Sequence, residues 1–422
     1  MTTSVHAPAG PAAENLPQPH GRRSLWRRAL EGYLYGNQFV VTFLAFLVAL
    51  VVGAVLIAIA DEPTRQAMGY FFQHPGDTFS RGWTAIAAGY SALFRGSILN
   101  TDSLYSNGGT PIFGPISDTL LNAAPLILGG LSVTIAFRAG LFNIGVQGMI
   151  IIGAICAGYV GFAISLPSGI HLIAALLAGM AGGAVWGWLI GWLKAKTGAH
   201  EVITTIMLNY VAFYLLSYLL GVQGFQQKGS NEAISSTVDP NARLPHIFGS
   251  NLQLHGGLIV AVLAAIGCWW LLTRSTFGFR IRAVGANSAA ARTAGMNVGR
   301  TYIWVMVIAG VLGGLVGCSQ VLGTRLVVTQ DVDAGFGFDA ITVALLGRGS
   351  PIGTVLAGLL FGAFRAGGVE MASATKTPAD VVSVMEPVMV LFIAAPALVR
   401  GLFRLRAARS SSVGQLAKGW NA

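Results

Sequence analysis

The sequence predicts an all-α fold, a polytopic bundle of transmembrane helices, on three observations. Of 422 residues, 54% are hydrophobic and only 10% are charged, whereas soluble domains carry about 25% charged residues. Mean hydropathy is +0.66. Apolar runs of about 20 residues, enough to cross a hydrocarbon layer, recur along nearly the whole chain. So few charges cannot cover a water-facing surface of this size, which excludes an ordinary soluble domain.

Residues 1–37 read as a cytoplasmic tail. Its first 20 residues are rich in Pro and Ala without periodicity, the pattern of a disordered segment. Arg22, Arg23, Arg27 and Arg28 follow, and the transmembrane region is placed at 38–403. Its first apolar run, from about Val40 to Ala60, has twin arginines before it and Ala58-Ile59-Ala60 at its end, as an export signal has. The run exceeds the roughly 7–15 residues of a signal core, so an uncleaved first span is expected. Residues 61–115 are the longest polar interruption and are assigned to the extracytoplasmic side. They mix Trp83, Tyr90 and Phe94 with Asp77, Arg81 and Arg95, and part is expected to be an amphipathic helix on the outer membrane surface.

Further spans are expected near 116–137, 141–165, 170–193, 202–221, 255–273, 301–323, 352–370 and 381–400. Residues 338–347 are apolar but too short to span alone, so they read as half of a broken crossing. Counting that half gives about ten crossings, with broken helices and both termini cytoplasmic, 404–422 forming a basic tail. This orientation puts Arg138, Lys194, Lys196, the arginines of 274–300 and Arg348 inside, as the positive-inside rule requires. The net charge of +10 is therefore a topological signal and needs no nucleic-acid partner. Gly and polar residues interrupt apolar runs around Asn143 and around Asp339, one in each half of the chain. Paired broken helices of this kind often mark a pathway between two structural repeats.

Catalytic signatures are missing. There is no G-x-x-x-x-G-K-[ST] loop, His200-Glu201 lacks the second histidine of H-E-x-x-H because position 204 is Thr204, and no G-x-S-x-G occurs. Gly335-Phe336-Gly337-Phe338-Asp339-Ala340 fits G-x-G-x-x-A without the strand–helix context a dinucleotide site needs. Cys156, Cys268 and Cys318 sit in apolar segments without metal-ligand spacing and read as packing residues. Gly179, Gly183, Gly187 and Gly191, with Gly310 and Gly314 and with Gly358 and Gly362, follow the four-residue spacing that lets helix backbones approach in lipid.

The basic connector 274–300 contains a short helix over Asn287–Gly295, capped by Asn287 or Ser288 and stopped by Gly295. Flanked by Arg280, Arg282 and Arg300, it reads either as a docking element for a soluble partner or as a solvated basic loop. Gly278-Phe279-Arg280-Ile281-Arg282-Ala283-Val284-Gly285-Ala286-Asn287, continuing through Ala290-Ala291 to Gly295-Met296, closely resembles the cytoplasmic coupling loop of ABC importer permeases. The resemblance is to the simple-sugar and nucleoside group of the branched-chain amino acid permease-like family, and to its larger nucleoside permease subunit. Phe142–Gly148, Glu201–Asn209 and Gly337–Arg348 carry it further, over roughly 116 to 400 in the expected order.

That resemblance implies a permease working by alternating access. ATP is used by a partner ABC ATPase in the cytoplasm, and the chain itself carries no cofactor. It further implies a second permease subunit, an extracytoplasmic substrate-binding protein or lipoprotein, a nucleoside or sugar as cargo, and a bacterial inner-membrane location among membrane lipid. The expected pathway residues are Phe142, Asn143, Gln147, Glu201, Asn209, Phe338, Asp339 and Glu386, because polar groups within a bilayer are costly and face a bundle interior or path. The expected coupling residues are Arg280, Arg282, Asn287, Ala290, Ala291 and Gly295. Two departures bear on substrate: Gln147-Gly148-Met149 stands where the family commonly has Glu-Gly-Gln, and Glu386 where it often has glutamine. An ion-coupled secondary transporter acting without an ATPase, and an ABC permease for branched-chain amino acids, are the alternatives.

Overall fold

The computed structural model describes residues 38–100, 113–229, 231–247, 252–375 and positions 381, 384, 387, 388, 391, 392, 398, 402 and 403. The tails expected at 1–37 and 404–422, Glu386, and most of the span expected near 381–400 lie outside the described residues. Thirteen α-helices are described: α1 (Gln38–Ala60), α2 (Glu62–Met68), α3 (Pro75–Ser97), α4 (Gly114–Arg138), α5 (Val146–Ala163), α6 (Ile170–Thr197), α7 (Glu201–Leu219), α8 (Gly257–Arg274), α9 (Thr276–Ala286), α10 (Ser288–Thr293), α11 (Val298–Ser319), α12 (Phe336–Leu346) and α13 (Pro351–Thr375). Of β structure, only isolated bridges occur among the described residues. A chain this apolar becomes helical because hydrocarbon offers no partner for backbone N–H and C=O groups.

Eight helices among the described residues are long and apolar enough to cross a membrane: α1, α4, α5, α6, α7, α8, α11 with its π-helical end, and α13. Each matches one of the full-length spans expected from sequence, and α12 is the expected short one. In the 61–115 region, α3 is not among the eight. It packs instead across α1 and α13, with Gly89 against Ile57, Gly96 against Glu370, and the Tyr90 hydroxyl donating to the Leu50 carbonyl.

The core is built on a glycine seam. Cβ atoms at Gly179, Gly183 and Gly187 of α6 would collide with Cys318 Sγ, the Gly310 carbonyl and the Met306 carbonyl of α11. Backbones therefore meet directly, as small residues allow. Gly358 and Gly362 bring α13 equally close to Ile127 and Ala123 of α4. Cys318 and Cys156 pack against Gly179 and Gly182, and all three cysteines are free thiols.

The bundle has two chemically different ends. Arg138, whose Nε donates to the Gly349 carbonyl, shares one end with the C-terminus of α6, with α9 and α10, and with the start of α11. Lys194 and Lys196 favour the C-terminal dipole of α6 there. At the opposite end residues 235–244 pin the chain after α11. Ser235 N–H donates to the Val328 carbonyl at 3.0 Å, Val238 N–H to Leu326 at 2.9 Å, and Leu244 N–H to Leu322 at 2.8 Å. α11 finishes in a π-helical turn, Gln320–Thr324. The buried ring of His255 packs on Gly257 and Gly323, accepts the Gly257 N–H at 3.1 Å and bonds Thr324 Oγ1 at 3.1 Å.

Candidate functional site

Two helices begin inside the bundle rather than at its ends. After α4 reaches the basic end at Arg138, residues 139–145 turn back without helix, and α5 starts at Val146 beside Gly129 of α4. Gly129 lies nine residues before Arg138, which is ~13 Å along a helix axis. From the other end, residues 325–335 re-enter the bundle and α12 starts at Phe336, also beside Gly129. α12 then runs to the basic end while α5 runs away from it. The two helix N-termini meet: a Cβ on Gly337 would lie 2.6 Å from Gln147 Cα. The interruptions read from the sequence around Asn143 and Asp339 are thus brought together.

Asn143 is 1% exposed, and its Oδ1 accepts the Gly145 N–H at 2.9 Å, folding the chain into the turn that starts α5. Asn209 of α7 clamps the same turn. Its Oδ1 accepts the Gly148 N–H at 2.9 Å, and its Nδ2 donates to the Ile144 carbonyl at 3.0 Å. These bonds satisfy one orphan donor of the α5 N-terminus and one loop carbonyl where water is scarce. Asp333, in the re-entrant segment leading into α12, is 8% exposed.

Around α12 a second polar cluster forms. Asp339 pairs with Arg365 of α13 at 3.4 Å, with the two side chains 26% and 27% exposed. Arg365 also donates to the Ala334 carbonyl and lies 4.2 Å from the Phe336 ring centroid, a cation–π distance. Phe338 projects outward at 54% exposure. Phe142 stacks on Phe137 with centroids 5.2 Å apart, at the basic end. Glu201 is at that end too, paired with Lys194 at 2.7 Å. The structure therefore gathers Asn143, Gln147 and Asn209 at one break and Asp339 at the facing one, and leaves Phe142, Glu201 and Phe338 apart from that meeting point.

Sequence reasoning missed Asp333 as part of the site and the partnership of Arg365 with Asp339. An acid and an arginine within apolar segments were the available signal. Backbone strain also marks this region. The only non-glycine residues with positive φ among the described residues are Leu326 (60°), Ala334 (46°) and Arg348 (53°), all in or flanking the re-entrant segment and α12. Such strain clusters where function fixes the backbone.

Of the expected coupling residues, Asn287 caps α10 by accepting the Ala290 N–H at 3.0 Å, and Gly295 takes φ +82° just past its end. Arg280, Arg282 and Ala290 are exposed, with the Arg282 guanidinium bonded to the Leu272 carbonyl. Ala291 is instead buried, packed with Val284 and Val298.

Comparison with known proteins adds the family. The family described as "Branched-chain amino acid transport system / permease component" matches residues 116–394. The guanosine ABC transporter permease protein NupP of Bacillus subtilis is 36% identical over 320 residues, 75% of this chain and 88% of that protein. The glucose ABC transporter permease protein TsgB13 of Haloferax volcanii is 35% identical over 325 residues, 73% of this chain and 84% of that protein. A second guanosine permease protein of Bacillus subtilis, NupQ, is 32% identical over 256 residues, 58% of this chain and 78% of that protein. No solved structure matches. The match spans both broken helices and the basic-end connector, so this multi-pass chain belongs to the family of branched-chain amino acid transport system permease components.

Proposed function

We propose that the chain is the transmembrane permease subunit of an ATP-driven importer for nucleosides or related simple sugars. The observation that carries this reading is the meeting of two helix N-termini within the bundle, at Gln147 and Gly337, in a chain whose relatives include guanosine and glucose permeases. Broken helices at depth present backbone and side-chain polar groups to a solute without exposing them to lipid. Gln147 and Asp339 border the path in this reading. Asn143 and Asn209 shape it, because their amides are already used in holding the turn. Glu386 is retained as a pathway residue on sequence grounds.

The basic end is assigned to the cytoplasm by the positive-inside rule, which also sets both termini there, in a bacterial inner membrane. Helix α10 is the docking element for an ABC ATPase on a separate chain, where ATP is hydrolysed. That NupP and NupQ are two similar permease proteins of one organism supports a second, non-identical permease subunit beside this one. A substrate-binding protein completes the assembly outside. The test is chain-dependent uptake of a labelled purine nucleoside in cells, with unlabelled ribose as competitor. Uptake that ribose leaves untouched supports a nucleoside importer; no chain-dependent uptake removes the nucleoside assignment and turns the test to free sugars.

A further inference from the structure

The first turns of α12 carry an open face with mixed chemistry. Phe338 and Asp339 stand about 100° apart around the helix axis. Gly335 lies three and four residues before them, and Thr342 four and three after, so all four share one face. Gly335 is exposed and Phe338 is 54% exposed, while Asp339 and Thr342 are half-buried. The missing side chain at Gly335 leaves a gap between the phenyl ring and the carboxylate. A Cβ there would lie 3.3 Å from Arg365 Nη2, so the guanidinium borders that gap. Arg365 is itself fixed by the Ala334 carbonyl, the Phe336 ring and Asp339. The Asp339 carboxylate pairs only with Arg365 among the described residues, which leaves acceptor positions on it free. A quarter of each of these two side chains is exposed, fourteen residues into α13 from Pro351, which is ~21 Å along the helix. Charged groups at such depth face a bundle interior or a water-filled path and not hydrocarbon.

We propose that Asp339, oriented by Arg365, is the subsite for the vicinal diol of the cargo's ribose, with Phe338 as the wall on which the base stacks. This rests on the importer reading above and names what its site recognises. A carboxylate accepts from two adjacent hydroxyls at once, and a guanidinium beside it donates to one of them in return. An exposed phenyl ring offers a flat apolar face to a flat base. The gap at Gly335 admits the sugar between the two. A site built to hydrogen-bond hydroxyls rejects a ligand that lacks them, because its charged groups are then left unpaired.

The test uses the complete transporter in proteoliposomes, with both permeases, ATPase and binding protein. It compares ATP-dependent uptake of labelled adenosine and of labelled 2′,3′-dideoxyadenosine, each at a concentration that saturates the binding protein. That protein is common to all samples, so a change in the ratio of the two rates belongs to the permease. Asp339→Asn keeps the shape of the side chain and is expected to lower the adenosine-to-dideoxyadenosine ratio about tenfold, through slower adenosine uptake. Phe338→Ala is expected to slow both nucleosides several-fold and leave their ratio unchanged, and Phe338→Tyr to restore uptake. Equal uptake of the two by the unsubstituted transporter, or an unchanged ratio in Asp339→Asn, overturns the inference. So does wild-type adenosine uptake by Phe338→Ala, whose exposed side chain makes this arm independent of whether Asp339→Asn folds. The importer reading fails separately if the unsubstituted transporter takes up neither nucleoside, and the inference falls with it.

Discussion

Gly183→Ala probes the seam between α6 and α11. A Cβ at Gly183 collides with the Gly310 carbonyl and lies 2.8 Å from Gly314 N and 2.9 Å from Gly314 Cα. Carbon contacts are comfortable near ~3.5–4.0 Å, so the helices must part by on the order of 0.5–1 Å at this crossing. A gap of that size forfeits about a quarter to a half of each ~0.1–0.2 kcal/mol contact, and on the order of thirty atom pairs line such a crossing. The loss is about 2 kcal/mol, inside the ~1–3 kcal/mol of overpacked sites. Alanine recovers up to ~1 kcal/mol of helix propensity, leaving a net loss of about 1 kcal/mol. Gly267→Ala supplies the control, since a Cβ at that position of α8 meets nothing within 4 Å and the propensity gain stands alone. Thermal unfolding in detergent should place Gly183→Ala below the wild type and Gly267→Ala at or above it. A Gly183→Ala protein as stable as Gly267→Ala would refute the claim that the seam is backbone-to-backbone.

Other substitutions separate local roles. Ala290→Glu, on the exposed side of α10, should abolish ATP-dependent uptake while leaving membrane insertion and unfolding temperature near wild type. Ala291→Glu should instead also lower stability, because it buries a charge beside Val284 and Val298. Asn209→Ala strands the Gly148 N–H and the Ile144 carbonyl; each buried orphan costs about 1–3 kcal/mol, to be measured by unfolding in detergent. Burial, aided by the nearby His246, pushes the His255 imidazole down to about 4. Above pH ~6.5 both folded and unfolded forms are neutral and stability is complete; as pH falls toward about 4 only the unfolded form takes a proton, so stability drains by on the order of 3 kcal/mol and then levels. A His255→Gln protein should lack that component when unfolding temperatures at pH 7.5 and 4.5 are compared with those of the wild type.

How much was legible in the sequence follows from which forces write themselves into patterns. Apolar length is written directly, so the eight described spans and the shortness of 338–347 could be read off. Glycine spacing gave the seam, because a row of missing side chains has no other use in lipid. The cap at Asn287 and the stop at Gly295 are local chemistry and were equally visible. What stayed hidden was pairing across the fold. Nothing within the segment around Arg365 points to Asp339, 26 residues earlier, and nothing near Ala291 distinguishes its buried methyl from the exposed one of Ala290. Asn143 and Asn209 were legible as intramembrane polar residues, but their spending on backbone partners depends on where α7 lies against α5. Positive φ at Leu326, Ala334 and Arg348 has no sequence signature, since strain is imposed by surroundings and not by residue type.

The place where α5 and α12 begin has an electrical consequence. Each helix start carries roughly half a positive charge, and Arg365 adds a whole one. Asp333 and Asp339 stand within the same few residues with two negative charges between them. With both carboxylates ionised the local total is close to zero, although the groups producing it are individually strong. A region assembled this way holds dipoles and hydrogen-bonding edges in fixed orientations while carrying little net charge. Nucleosides and simple sugars are uncharged at neutral pH and rich in hydroxyls, and a balanced site of this kind neither traps nor repels them by charge. Arg365→Met would tip that balance by one unit, leaving Asp339 without its guanidinium partner and, on the path proposed above, a preference for cations in place of indifference.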